Sequence, residues 1–153
     1  MQNYRKKIDI LKDQGFHKIV LSGHSAGAWA SITLKSKFPK KIDGVIALNP
    51  AFAGKIKKRS SFWVEIRKYG IGLIDLSNLK NVLIFSHNKD KYETPESLSF
   101  LSNSDSTNFI DTSNSKCKRK KKLGGYHGIT LTKCFAAVEN NQREIIKYLE
   151  GIL

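Results

Sequence analysis

The run Lys18-Ile19-Val20-Leu21-Ser22-Gly23-His24-Ser25-Ala26-Gly27 decides how the chain is read, because within ten residues it passes from strand to helix. Lys18 to Ser22 is a short apolar run bounded by turn signals, as a buried parallel strand is. Ala26 to Phe38 then takes up helical spacing, and Pro39 closes it. Between the two, Gly23 to Gly27 fits the pattern G-x-S-x-G. With Gly and Ser each near 7% of residues, three fixed positions recur about once in 3,000 windows, so a chain of this length shows one about one time in twenty. The pattern alone is suggestive; directly after a strand and directly before a helix, it is specific.

Outward from this run, helix-period and strand-like segments alternate. Tyr4, Ile8 and Leu11 fall at i, i+4 and i+7 and Gly15 follows, which predicts an amphipathic helix over residues 3–14. Further strands are expected at Ile42–Leu48, Val82–Ser86 and Asn108–Thr112. Pro95 opens a helix to about Leu101, and an apolar stripe through Leu131, Phe135, Val138, Ile145 and Leu149, interrupted at Gln142, predicts one helix from about residue 130 to the end. Residues 51–80 form a lid-like insertion with a helix at Ser61–Tyr69 and a bend at Gly70 and Gly72. The expected fold is α/β: a three-layer sandwich in one domain over residues 1–153, with a short, mostly parallel sheet of about four strands and flanking helices.

Composition excludes several classes. Hydrophobic residues make up 40% of the chain and include 15 aromatics, too many for wholesale disorder. No apolar stretch approaches the roughly 18 residues of a membrane span. The first residues, Met1 to Gln14, are basic and amphipathic and lack the pattern of an export signal. The net charge is +14, but 22 of the 27 basic residues are Lys, whereas base reading and phosphate clamping favour Arg, which argues against nucleic acid. Lys116 to Lys122 holds six basic residues in seven and reads as a solvated loop. Cys117 and Cys134 fit no metal-ligand spacing and are read as free thiols, which places a chain starting at Met1 in the cytoplasm. No metal or organic cofactor is implied.

The residue types at the strand-to-helix turn have a physical logic. A sharp turn crowds the positions two before and two after the serine, so both are expected to be small, as Gly23 and Gly27 are. Ser25 then projects at the carboxyl end of the strand. Its hydroxyl needs a base to accept its proton, and the Ala26 N–H at the helix start can face a developing oxyanion.

In this arrangement the chain resembles the α/β-hydrolase superfamily, in which serine, acid and histidine follow one another along the chain, each on a loop after a strand. After the third strand, S-H-N-K-D-K-Y-E-T-P places Asp90 four residues beyond Ser86; after the fourth, L-G-G-Y-H-G-I-T places His127 among glycines before the last helix. The resemblance implies that His127 takes the Ser25 proton and returns it to the leaving group, with Asp90 fixing its tautomer. Glu93, Asp75 and Asp105 are alternatives for the acid, and His17 and His87 for the base. Ser25 has a plainer reading as a helix cap, and Asp90 as a turn former. His24 is expected to pack beside the turn, and Trp29, Phe62 and Trp63 to serve packing or the lid.

The resemblance covers the C-terminal half of the family fold. Strands that precede the serine in the family, with the loop carrying a second oxyanion donor, have no counterpart here, and losing one such donor costs about 10²–10³ in rate. The serine-bearing strand is then expected at a sheet edge, open to self-association along Ile19, Val20 and Leu21. A protein that begins upstream of Met1 is the favoured explanation. The resemblance implies a serine hydrolase cleaving an ester, thioester or amide in a small-molecule acyl substrate, closest to small esterases and dienelactone-hydrolase-like proteins. The alternative is a non-catalytic or truncated protein of this fold that holds an anionic partner through its basic loop.

Overall fold

The computed structural model describes residues 2–103, 106–118, 122 and 124–152. Four strands, β1 (Val20–His24), β2 (Gly44–Leu48), β3 (Val82–Ser86) and β4 (Thr107–Asp111), form one sheet in chain order, and every neighbouring pair is parallel. Helices α1 (Gln2–Asp13), α2 (Ala26–Lys37), α3 (Ser61–Gly72), α4 (Lys133–Ala137) and α5 (Glu139–Glu150) flank it. This is a small three-layer α/β sandwich.

The pleat sorts the sheet's side chains onto two faces. Val45, Ala47, Val82, Ile84 and Phe109 point to the larger core, where they meet Ile8 of α1 and Ala28, Trp29, Ile32 and Leu34 of α2. Ile46, Leu48, Leu83, Phe85 and Ile110 point the other way, against Phe135 of α4 and Ile145 and Tyr148 of α5. One face therefore carries the helices before and between the strands, and the other those that follow β4. With strands in chain order, right-handed crossovers all pass on the same side, which is the physical reason for this segregation.

Several segments differ from the sequence-based expectation. The first and second strands each start two residues later, at Val20 and Gly44, because the Ile19 N–H is taken by Asp43 Oδ2 at 2.8 Å, while the first runs on through Gly23↔Ala47 and His24↔Leu48. The fourth is shifted by one residue, to Thr107–Asp111, because Asp111 Oδ1 accepts from Ser113 N and starts a 3-10 turn over Thr112–Asn114. After Pro95 the chain makes a 3-10 helix, Glu96–Asn103. No bend occurs at Gly70: α3 continues to Gly72, and a Cβ at Gly70 would stand 2.5 Å from the Phe52 ring, so this glycine serves a close approach. The terminal helix is broken at the extended residue Val138, where Asn141 Nδ2 and Gln142 Nε2 donate to the carbonyls of Phe135 and Ala136.

The cysteines are not free thiols. Cys117, beyond β4, and Cys134, on α4, form a disulfide across a sequence separation of 17. With the thiols paired, the ground for a reducing compartment falls away. Among the described residues no helix is long and apolar enough to cross a membrane.

Candidate active site

The carboxyl ends of the four strands meet at one rim, and each delivers a polar residue to it. β1 runs into Ser25, whose backbone adopts φ 56° and ψ −124°, a strained conformation for a non-glycine residue, here held in a sharp strand-to-helix turn. Its N–H donates to Leu48 O at 3.1 Å, and its carbonyl accepts from Trp29 N and Ala51 N, so the turn is held on both sides. A Cβ at Gly23 would lie 2.5 Å from Gly27 C and O, so glycine is obligatory there. The symmetric expectation for Gly27 does not hold: a Cβ at that position meets nothing within 4 Å.

The loop after β3 carries Asp90 and the loop after β4 carries His127, and the structure brings both to Ser25. His127 Nε2 lies 2.8 Å from Ser25 Oγ, and His127 Nδ1 lies 2.7 Å from Asp90 Oδ2. A carboxylate accepts, so Nδ1 carries the proton and Nε2 is left as the acceptor for the serine hydroxyl. The Asp90 side chain is fully buried and that of His127 is 7% exposed, so the bond between them is shielded from water. Gly124 and Gly125, at φ +81° and +80°, shape the turn that presents His127. Ala26 is the first residue of α2, where a helix N–H has no intrahelical acceptor.

Two further residues hold Asp90. Asn49, at the end of β2, is 1% exposed and donates from Nδ2 to Asp90 Oδ2 at 3.2 Å. It sits at φ 44°, a left-handed conformation that Asn tolerates better than most residues. Its Oδ1 has no hydrogen-bond partner among the described residues. The Tyr92 N–H donates to Asp90 Oδ1 at 2.8 Å, and its ring lies 4.3 Å from that of His127. Sequence reasoning missed both. The only signal for Asn49 was an Asn-Pro pair ending a strand beside the serine-bearing one.

The alternative residues have other partners. Glu93 is buried and bonded to Arg59, Arg67 and Ser97, and so ties the insertion that carries both arginines to the acid loop. Asp75 caps an exposed turn through Ser77 and Asn78, and Asp105 lies outside the described residues. His17 is exposed ahead of β1, at the opposite end of the sheet. His87 stacks on Tyr126 at 4.2 Å, its Nδ1 accepts from Lys89 N, and burial holds its pKa below the ordinary value. His24 packs beside the turn: its Nε2 donates to His127 O at 2.8 Å, and burial lowers its pKa also. Trp29 is buried and stacks on Phe52, whereas Phe62 and Trp63 are exposed on α3. Arg119 to Lys121, at the centre of the basic run, lie outside the described residues. No group of His, Cys, Asp and Glu suited to a metal ion occurs among the described residues.

No family model matches this chain, and no curated protein matches it either.

Proposed function

We propose that the chain is a serine hydrolase of α/β-hydrolase type, acting on an ester, thioester or amide through a covalent acyl-enzyme. The observation that carries this reading is the continuous relay Ser25 Oγ to His127 to Asp90, at 2.8 and 2.7 Å, built on a serine in strained backbone. A helix cap requires neither the histidine nor the strain, and Ser25 makes no side-chain cap bond to α2. In the reaction, Ser25 Oγ attacks the substrate carbonyl carbon as its proton passes to His127 Nε2, and the carbonyl oxygen becomes an oxyanion facing the Ala26 N–H. The tetrahedral adduct collapses, the leaving group departs with the proton from His127, and the acyl group stays on Ser25. Water then attacks the acyl carbon, giving its proton to His127; the free acid leaves, and the proton returns to Ser25 Oγ. Asp90 keeps the proton on Nδ1 and stabilises the imidazolium formed in each half.

The test is intact-mass measurement of the folded chain after exposure to a fluorophosphonate. One adduct per chain is expected, absent from Ser25→Ala and His127→Ala. A folded, unlabelled chain overturns the reading.

A further inference from the structure

We propose that the cavity beside the acid loop is a subsite for an anionic group, a carboxylate or phosphate, carried by the substrate of Ser25; the substrate assignment rests on the hydrolase reading above. The cavity encloses about 290 Å³ and is lined by Lys55, Lys89, Lys91, Tyr92, Gly124, Gly125 and Tyr126, with no carboxylate among them. Tyr92 is the shared wall: one side closes the cavity and its ring lies 4.3 Å from the His127 ring. Gly124 keeps the other wall thin, since a Cβ there would stand 3.7 Å from that of His127. A group in the cavity is thus one aromatic ring away from the proposed base.

The convergence of the lysines is built into the fold. Lys55 follows β2, Lys89 and Lys91 follow β3, and the Gly124–Tyr126 wall follows β4. The first two segments are tied together by Ile56 N donating to Lys91 O at 2.8 Å and by Arg59 donating to Tyr92 O at 2.7 Å. Lys55 Nζ sits over the Tyr92 ring at 5.8 Å and Lys89 Nζ over the Tyr126 ring at 5.9 Å. Among the described residues none of the three lysines forms an ion pair. The same three lysines also border a neighbouring cavity that includes Asp90 and Glu96, and three ammonium groups at one cavity attract an anion, a charge that a carboxylate or phosphate supplies. The volume suits such a group with a few carbons attached.

The test separates binding from chemistry. Calorimetry on the Ser25→Ala protein compares monomethyl glutarate, methyl 4-phosphonobutanoate and neutral dimethyl glutarate. At least one anion is expected to bind about tenfold or more tightly than the neutral ester, the effect of one charge-assisted hydrogen bond. Which anion does so identifies the group, and the preference is expected to shrink as salt rises. Lys55→Gln, Lys89→Gln and Lys91→Gln in the same background are each expected to weaken anion binding severalfold and leave the neutral ester unaffected. Equal binding of all three compounds, or indifference to the lysine changes, overturns the proposal while leaving fluorophosphonate labelling of the native chain to judge the hydrolase reading. Lysine-dependent anion binding without labelling supports the anion site and removes the chemistry.

Discussion

The two glycines of the serine turn, equivalent in sequence pattern, are predicted to respond to alanine in opposite directions. In Gly23→Ala the new methyl lands 2.5 Å from Gly27 C and O and 2.7 Å from Ala28 N. Ordinary carbon contacts are about 3.5–4.0 Å. All three obstructing atoms are backbone in the first turn of α2, so no rotamer change relieves the overlap. Overpacking costs about 1–3 kcal/mol, and an unyielding backbone puts this site near the top of that range. For a domain of this size that lowers Tm by about 6–12 °C. In Gly27→Ala the methyl meets nothing within 4 Å, and Gly27 is a helical residue of α2. Replacing a helical glycine by alanine gains up to about 1 kcal/mol, a rise of about 2–4 °C. Thermal unfolding followed by circular dichroism measures both, and fluorophosphonate labelling reports whether Ser25 remains presented. Labelling is expected to fall in Gly23→Ala and to persist in Gly27→Ala. Equal changes in Tm, or a larger loss at Gly27, would refute the account of the turn.

Three further outcomes follow from the site. Asn49→Ala removes a charge-assisted bond to Asp90 and puts alanine at φ 44°, so a loss of about 2–4 kcal/mol and slower labelling are expected; unchanged labelling would show that Asp90 needs no help from β2. Burial lowers the pKa of both His24 and His87 from 6.5, so just below that pH the unfolded chain binds more protons than the folded one. Their contribution to stability is full above 6.5 and is lost as pH falls through the lowered values; Tm measured from pH 7.5 to 5 should decline, and less steeply in His87→Phe. Reducing the Cys117–Cys134 disulfide, which closes a loop of sequence separation 17 around His127, is expected to cost about 3 kcal/mol and to slow labelling; a denaturant midpoint indifferent to reductant would count against this pairing.

What could be read from the chain divides along physical lines. Val82–Ser86 was legible to the residue because a fully buried central strand is a continuous apolar run with turn residues at both ends. The strands β1, β2 and β4 slipped by one or two residues, since their limits depend on contacts of Asp43 and Asp111 that leave no mark in hydropathy. Ser25, Asp90 and His127 were placed by their order relative to strands, and the structure brings them together at the sheet rim. Asn49 was not legible, because its meaning arises only once β2 lies between β1 and β3. The disulfide escaped for the same reason, since proximity across a returning loop is invisible to spacing. Val138 kept the apolar period that continued the predicted helix, while the side chains that end α4, Asn141 and Gln142, lie beyond the break.

The order of strands in the sheet is also the order in which a ribosome delivers them. Each new strand can dock on its finished neighbour as it emerges, so pairing from β1 through β4 waits for no distant segment. The proposed proton acceptor obeys a different timetable: His127 is separated from Ser25 by 102 residues and emerges after β4. A nascent chain therefore carries Ser25 without His127 until β4 has emerged, and acquires the proposed nucleophile only when the loop that bears His127 closes over these strands.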